Sequence, residues 1–412
     1  MEGVVVPMSK RLRVVLITLS CFLVFYIVLG GLLGKNDSSS DKTYRNLGVY
    51  SEVLSRIKSD YVTEPNLNKV TGGAIRGLLE ALDPYSTYFS PQEYQDYLRQ
   101  PDPGPASVGI FLAKRMGFAT VVSVLPGSPA EKAGVKAGDL VDRVENTPTR
   151  ELSVVQLQRL LAGPSGSTLT LTLVREARGD PQKFPLTRAA LTYPPVVAKV
   201  MEDAAGYIRV ASFNKGKAAE ISAKLGELTA RGADKIVLDL RNCAGGETQE
   251  AIDTASLFLE KGLVGYLLGQ RYPRQDLPAK PPRDICKFPM VVLINQSTAG
   301  PAELLASAIL GNKRGDAVGV RSFGVGVFQK LIPLDDGSAL LLSVAKYYGP
   351  DGKAIQDNGV TPNVVEAPGA GTASLEDENE PTEPEHFGDK DDQQLRKAIE
   401  ILKQKSSLAK AA

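Results

Sequence analysis

Apolar and polar positions along the chain change period several times, and each change marks a boundary. Between Tyr44 and Tyr61, Leu47, Tyr50, Leu54 and Ile57 recur at helical spacing with Val53 beside them, which predicts a helix. Val70, Ala74, Ile75, Leu78 and Leu79 predict a second helix over Asn66 to Leu82. Leu82-Asp83-Pro84-Tyr85-Ser86 breaks it, and Pro91 to Leu98 reads as a short third helix. A Pro/Gly stretch, 101–105, marks a boundary. Beyond it Ala119 to Val124 and Thr168 to Val174 read as strands, with a helix at Val154 to Leu161 between them. From Ala189 to Glu366 strands alternate with helices. Strands are expected at Gly206 to Phe213, Ile236 to Leu240 and Val291 to Ile294. Helices are expected at Ala218 to Arg231, Thr248 to Leu259 and Pro301 to Leu310. Val327 to Leu334 and Ala339 to Ala345 flank Asp335-Asp336-Gly337 as a hairpin, and Gln393 to Lys405 forms a last helix. The expected class is multidomain α+β.

The segment Val14 to Leu33 is apolar and uncharged, about the ~20 residues a membrane span needs. Lys10, Arg11 and Arg13 precede it, and no A-x-A-like cleavage site follows it. This pattern predicts an uncleaved single-pass anchor of the inner membrane, with the bulk of the chain outside the cytoplasm; a cleaved signal peptide is the alternative. The expected organisation is a cytoplasmic N-terminus at 1–13, a transmembrane helix at 14–34 and a helical segment at 35–104. The last begins with a Ser/Asp-rich linker, Lys35 to Lys42. Two globular parts follow at 105–188 and 189–367, then an acidic, disordered tail with the final helix at 368–412.

Composition narrows the chemistry. The 412 residues carry a net charge of +1, so no nucleic-acid partner is expected. The single histidine, His386, lies in the acidic tail, which argues against a histidine-based triad or a His-rich metal site; no metal and no cofactor are expected. Cys243 and Cys286 show no spacing that supports a disulfide and read as buried thiols, and Cys21 lies in the apolar N-terminal segment.

The chemistry concentrates in VVLINQSTAGPAELLASAILGNKRGDAVGVRSFGVGVFQ, from Val291 to Gln329. A strand there turns sharply into a helix opened by Pro301, an arrangement that presents a nucleophile where the helix N-terminus stabilises negative charge. The presenting position is Gly300, which has no side chain.

Other segments carry a resemblance. Ser107-Val108-Gly109-Ile110, the SPAxxAG run from Ser128 and Ala137-Gly138-Asp139 resemble a PDZ domain of the bacterial protease type. That resemblance implies that a peptide C-terminus adds as a strand, its carboxylate held by backbone amides at Val108, Gly109 and Ile110. With LDPYS, GYIRVASF, DLRNCAGG, NQSTAGPAEL, SFGVGVFQ and YYGPDGKAIQDNGVTP in order, Tyr44 to Glu366 resembles the C-terminal processing peptidases, the tail-specific serine proteases of peptidase family S41. The resemblance implies a PDZ domain joined to a crotonase-like (ClpP/crotonase-type) α/β peptidase core, and a Ser–Lys dyad that cuts proteins near their C-termini outside the cytoplasm. Protein or peptide C-termini are the implied partners, with homo-oligomerisation a further possibility of the family.

Aligned on Asn295 and Glu303, the family's serine falls on Gly300. Aligned on Phe323-Gly324 and Gln329, its lysine falls on Val325. Gln329, which orients the dyad in the family, is retained. Of the two amides implied for the oxyanion hole, Gly245 keeps one, and Pro301 has no N–H to give the other. The expected protein therefore binds peptides through its PDZ segment and does not cleave them. Two alternatives remain: a displaced hydroxyl at Ser297 or Thr298 served by Lys313, Lys330 or Lys346, and an oligomeric scaffold. Cys243 as nucleophile has no histidine partner.

Overall fold

The computed structural model describes residues 11, 18–26, 38–99, 106–115, 117–175, 179–282, 285–367, 387–389 and 391–411. Chain contacts divide the protein into residues 1–73 and 74–412.

In the first unit, helix α1 runs over Ser38–Asp60. It takes in the second half of the expected Ser/Asp linker, because Ser and Asp are favoured at helix starts as much as in loops. Tyr50, Leu54 and Ile57 of the expected stripe are half-buried, whereas Leu47 and Val53 are exposed. Most of the predicted membrane span lies outside the described residues. Its part at 18–26 is helical with Leu19, Phe22 and Phe25 exposed, and among the described residues no helix is long and apolar enough to cross a membrane. The 101–105 linker, most of the acidic tail and His386 also lie outside them. Helix α2, Leu67–Glu80, leads from the first unit into the second.

The second unit opens with strand β1 (Thr87–Phe89) and helix α3 (Pro91–Arg99). The PDZ-like segment folds next: β2 (Ile110–Arg115), β3 (Phe118–Val124), the single turn α4 (Pro129–Lys132), β4 (Leu140–Val144), α5 (Val154–Leu161), β5 (Thr168–Val174) and β6 (Gln182–Thr187). The five strands pair antiparallel in the order β2-β3-β4-β5-β6, so β2 is an edge. Leu112, Val121, Val141, Leu157, Leu169 and Leu171 fill its core, each worth about 1.5–3 kcal/mol on burial. Ser153 and Gln156 form a reciprocal capping box that fixes where α5 starts.

The second domain of this unit is built on β7 (Val197–Val200), β8 (Ala205–Arg209), α6 (Lys217–Ala230), β9 (Lys235–Asp239), α7 (Thr248–Ser256), β10 (Leu263–Leu268), β11 (Gln275–Pro278), β12 (Met290–Ile294), α8 (Pro301–Gly311), β13 (Asp316–Gly319), β14 (Val327–Pro333), β15 (Ala339–Tyr348), β16 (Val364–Val365) and α9 (Gln393–Ala411). One sheet has the order β7-β8-β9-β12-β13-β16 and is parallel except at β7. Alternation along its strands sorts the two faces. Ile208, Ile236, Leu238, Val292 and Ile294 point at α6, α7 and α8. Tyr207, Val237, Val291 and Leu293 point the other way, onto Leu395, Ala398 and Leu402 of α9. The last helix is thus part of the core, and it runs past the expected Lys405 to Ala411. A second sheet, β1-β15-β10-β11 with β14 on the other edge of β15, includes the predicted hairpin.

Other boundaries also differ from the sequence expectation. Strand β8 stops at Arg209 rather than Phe213, because Phe213 leaves the sheet to pair with Gly246. Helix α7 stops at Ser256, and Leu257, Phe258 and Leu259 turn back into the core.

Candidate functional site

Two turns at the carboxyl ends of adjacent parallel strands meet here. The first, Arg241 to Gly246, follows β9. Arg241 is buried and bonds both Asp239 and Asp392, with Phe387 stacked at 4.3 Å on its guanidinium, so this turn is fastened to the start of α9. Asn242, Gly245 and Gly246 all have positive φ. Only glycine fits at 246, where a Cβ would lie 2.2 Å from the Phe213 backbone.

The second turn, Asn295 to Gly300, follows β12. Asn295 Oδ1 accepts from the backbone N–H groups of Asn242 (3.0 Å) and Ser297 (3.1 Å), and its Nδ2 donates to Asn242 Oδ1 (2.7 Å). Thr298 Oγ1 accepts from Asn295 N–H (3.0 Å) and donates to the Leu240 carbonyl (2.8 Å). The turns also pair as an isolated parallel bridge between Ala244 and Ala299, with Ala299 N–H bonded to the Cys243 carbonyl at 3.0 Å.

Gly300 adopts φ 66°, ψ −121° at the cap of α8. A Cβ built there meets no atom within 4 Å, so the elbow shape and the space for a side chain both persist. Its N–H donates to Glu303 Oε2 (2.9 Å). Glu303 is fully buried and also accepts from Ser322 Oγ (2.5 Å), Gly324 N–H (2.7 Å) and Val325 N–H (2.8 Å). It therefore ties the elbow to the segment that carries the lysine position. Burial pushes its pKa up to about 7, against the pull of those donors.

Val325 packs into an apolar cluster with Phe111, Ala113 and Val122 of the PDZ-like segment and Ala244, Ala299 and Phe323 of the second domain. The lysine position is thus a packing contact. Phe111 also covers the Arg241 to Gly246 turn, its ring 3.3 Å from where a Cβ on Gly245 would be. Gln329 Nε2 donates to the Tyr85 carbonyl (2.9 Å).

A single cavity of about 550 Å³ runs from the PDZ-like segment to this elbow. Its walls include Gly109, just before the edge strand β2, Ile110 and Leu112 of that strand, Val154 and Gln158 of α5, and Gly245, Gly300, Pro301, Val325 and Gln329. No Asp, Glu, Lys, Arg or His lines it among the described residues. Of the peptide-binding positions read from the sequence, Gly109 and Ile110 line the cavity, while Val108 is buried in the PDZ-like core. Gly109 has φ 83°, and its carbonyl accepts from Leu125 N–H at 2.8 Å.

The weaker sequence candidates are not brought together. Ser297 and Thr298 are buried and line no part of the cavity, and Thr298 spends its hydroxyl on the turn. Lys313, Lys330 and Lys346 are exposed. Cys243 is fully buried and free, with its thiol pushed up by burial; Cys286 is also free. Sequence reasoning missed Phe111 and Glu303. A Glu three residues after a helix cap is a readable signal, whereas nothing in the sequence marks Phe111.

Comparison with known proteins places these features in a wider group. The description "Peptidase family S41" matches residues 204–366, and "PDZ domain" matches residues 120–175. The carboxy-terminal processing protease CtpA of Bacillus subtilis is 31% identical over 369 residues, covering 87% of this chain and 78% of its own length. The carboxyl-terminal-processing protease of Synechocystis is 32% identical, with 81% and 79% covered. Among solved structures, the photosystem II D1 C-terminal processing protease superposes with a TM-score of 0.65 at 28% identity, over 80% of this chain and 95% of that one.

Proposed function

The chain belongs to peptidase family S41, among the carboxy-terminal processing proteases, and we propose that within this family it is a pseudopeptidase that binds peptide C-termini or unfolded tails without cutting them. The observation that carries this reading is the apolar packing of Val325, at the lysine position, beside an elbow that ends in Gly300. Cleavage by the family's chemistry needs a hydroxyl nucleophile and a base that takes its proton. Glycine offers no hydroxyl and valine no lone pair. The third component, an amide after the nucleophile, is absent at Pro301. Losing one oxyanion donor costs ~10²–10³ in rate. Losing a nucleophile and base costs roughly 10⁶, and such losses do not add.

Binding needs none of these groups. Strand β2 offers an unpaired edge beside α5, and Gly109 and Ile110 line the cavity, which supports carboxylate capture by their backbone amides. The crotonase-like description of the second domain belongs to the same reading. So does the anchor: Val14 to Leu33 behind Lys10, Arg11 and Arg13 supports a single-pass protein with its bulk outside the cytoplasm. Extraction of membranes at alkaline pH tests the anchor, which should keep the protein in the pellet.

The activity test uses the purified chain with an unfolded protein bearing an apolar tail. No cleavage is expected. Cleavage that disappears with Ser297→Ala or Thr298→Ala would overturn the reading. Peptides with free and amidated C-termini should differ in affinity, and equal affinity would remove carboxylate capture.

A further inference from the structure

A second concavity, of about 910 Å³, adjoins the first and shares Val327 with it. Its floor includes Leu342 and Val344 of β15. The two differ in charge. The first has no charged side chain, while the second is walled by Arg271, Lys330 and Lys346 and by Asp83 and Asp357.

Both carboxylates have partners within the protein. Asp83 Oδ1 accepts from the N–H groups of Tyr85 (2.8 Å) and Ser86 (2.7 Å) and from Ser343 Oγ (3.2 Å), and its Oδ2 accepts from Ser86 Oγ (2.8 Å). Asp357 Oδ1 accepts from Gln356 Nε2 (2.7 Å), and its Oδ2 lies 4.0 Å from Lys346 Nζ. Neither Arg271 nor Lys330 has a side-chain partner among the described residues, and both are exposed. With Arg271, Lys330 and Lys346 against Asp83 and Asp357 the concavity is net positive, and Arg271 and Lys330 are free to meet a ligand.

Building on the peptide-binding reading, we propose that this concavity is a second subsite that takes acidic side chains, so that the preferred ligand is bipartite. An uncharged C-terminal tail occupies the first cavity, and Asp or Glu residues preceding that tail meet Arg271 and Lys330. The order follows from the carboxylate being held at Gly109 and Ile110 within the uncharged cavity, while Val327 borders both concavities. A charge within the tail is excluded, because nothing in the first cavity can pair with it.

The test titrates the purified chain with three fluorescent peptides that share one uncharged tail and carry a neutral, an acidic or a lysine-rich N-terminal extension. Exposed pairs of this kind contribute modestly, so two of them should tighten binding of the acidic peptide about fivefold over the neutral one, and salt should reduce the gain. Arg271→Glu with Lys330→Glu should abolish the gain and leave the neutral peptide's affinity unchanged, which also reports that the variant is folded. Lys183→Glu, which lines neither cavity, should keep the gain. Equal affinity for the acidic and neutral peptides overturns the subsite, as does a gain that survives the double reversal. If the neutral peptide does not bind, the cleft reading itself fails, and the subsite with it.

Discussion

The two halves of the 550 Å³ cavity differ in what they present to a ligand. At the PDZ end, an edge strand, a glycine loop at Gly109 and the amphipathic helix α5 form a groove with its walls in place. At the elbow end, the scaffold is equally complete: Asn295 braces Asn242, Thr298 braces Leu240, and Glu303 gathers four donors. On the pseudopeptidase proposal, only the reacting groups are missing. A binding surface and a catalytic frame can thus share one wall, while the reaction depends on a few side chains that the frame does not need for folding. The frame is held by backbone and second-turn hydrogen bonds, so replacing the serine and lysine positions leaves it standing.

The comparison can be broken first at the elbow end. Arg241→Ala removes the cation from between two buried carboxylates, Asp239 and Asp392. It should cost about 3–5 kcal/mol and loosen α9, read by urea unfolding and by hydrogen exchange of residues 393–402. At the PDZ end, Gly109→Ala places a Cβ 2.2 Å from the Ser128 Cβ at a positive φ. It should cost about 2 kcal/mol or more and abolish tail binding, leaving exchange at α9 as it was. If either substitution damaged both ends equally, the two halves would not be separable.

Gly300→Ser is milder. The side chain has open space, so its cost is the strained φ alone, about 1–2 kcal/mol. Combined with Val325→Lys it also puts a cation into the apolar cluster of Phe111 and Ala244, and the melting temperature should then fall further than for Gly300→Ser alone. The smallest effect is in pH. Glu303 has its pKa raised from 4.5 to about 7, so between those values the folded chain holds a proton that the unfolded chain releases. Stability should therefore decline as pH rises through that window, and Glu303→Gln should flatten the slope, as measured by urea midpoints at pH 5, 6, 7 and 8.

Much of this arrangement was legible in the sequence because its signals are local. Apolar runs such as Met290–Ile294, the cap at Ser153 and the elbow at Gly300 each announce themselves within a few residues. The fates of Phe213 and Phe111 did not. Phe213 continues a strand pattern but leaves the sheet for Gly246, and Phe111 lies on a strand whose partner across the cluster, Val325, is more than two hundred positions away. The role of α9 was hidden for the same reason: the residues that hold it, Asp239 and Arg241, lie far from it in the chain.

The most direct test of the account follows one sample through both properties. The purified chain is titrated with a peptide bearing an uncharged free C-terminus, then incubated at length and analysed by mass. A pseudopeptidase binds the peptide saturably and leaves it at its original mass. A shortened peptide, formed in proportion to the protein and lost in Thr298→Ala or Ser297→Ala, would contradict it.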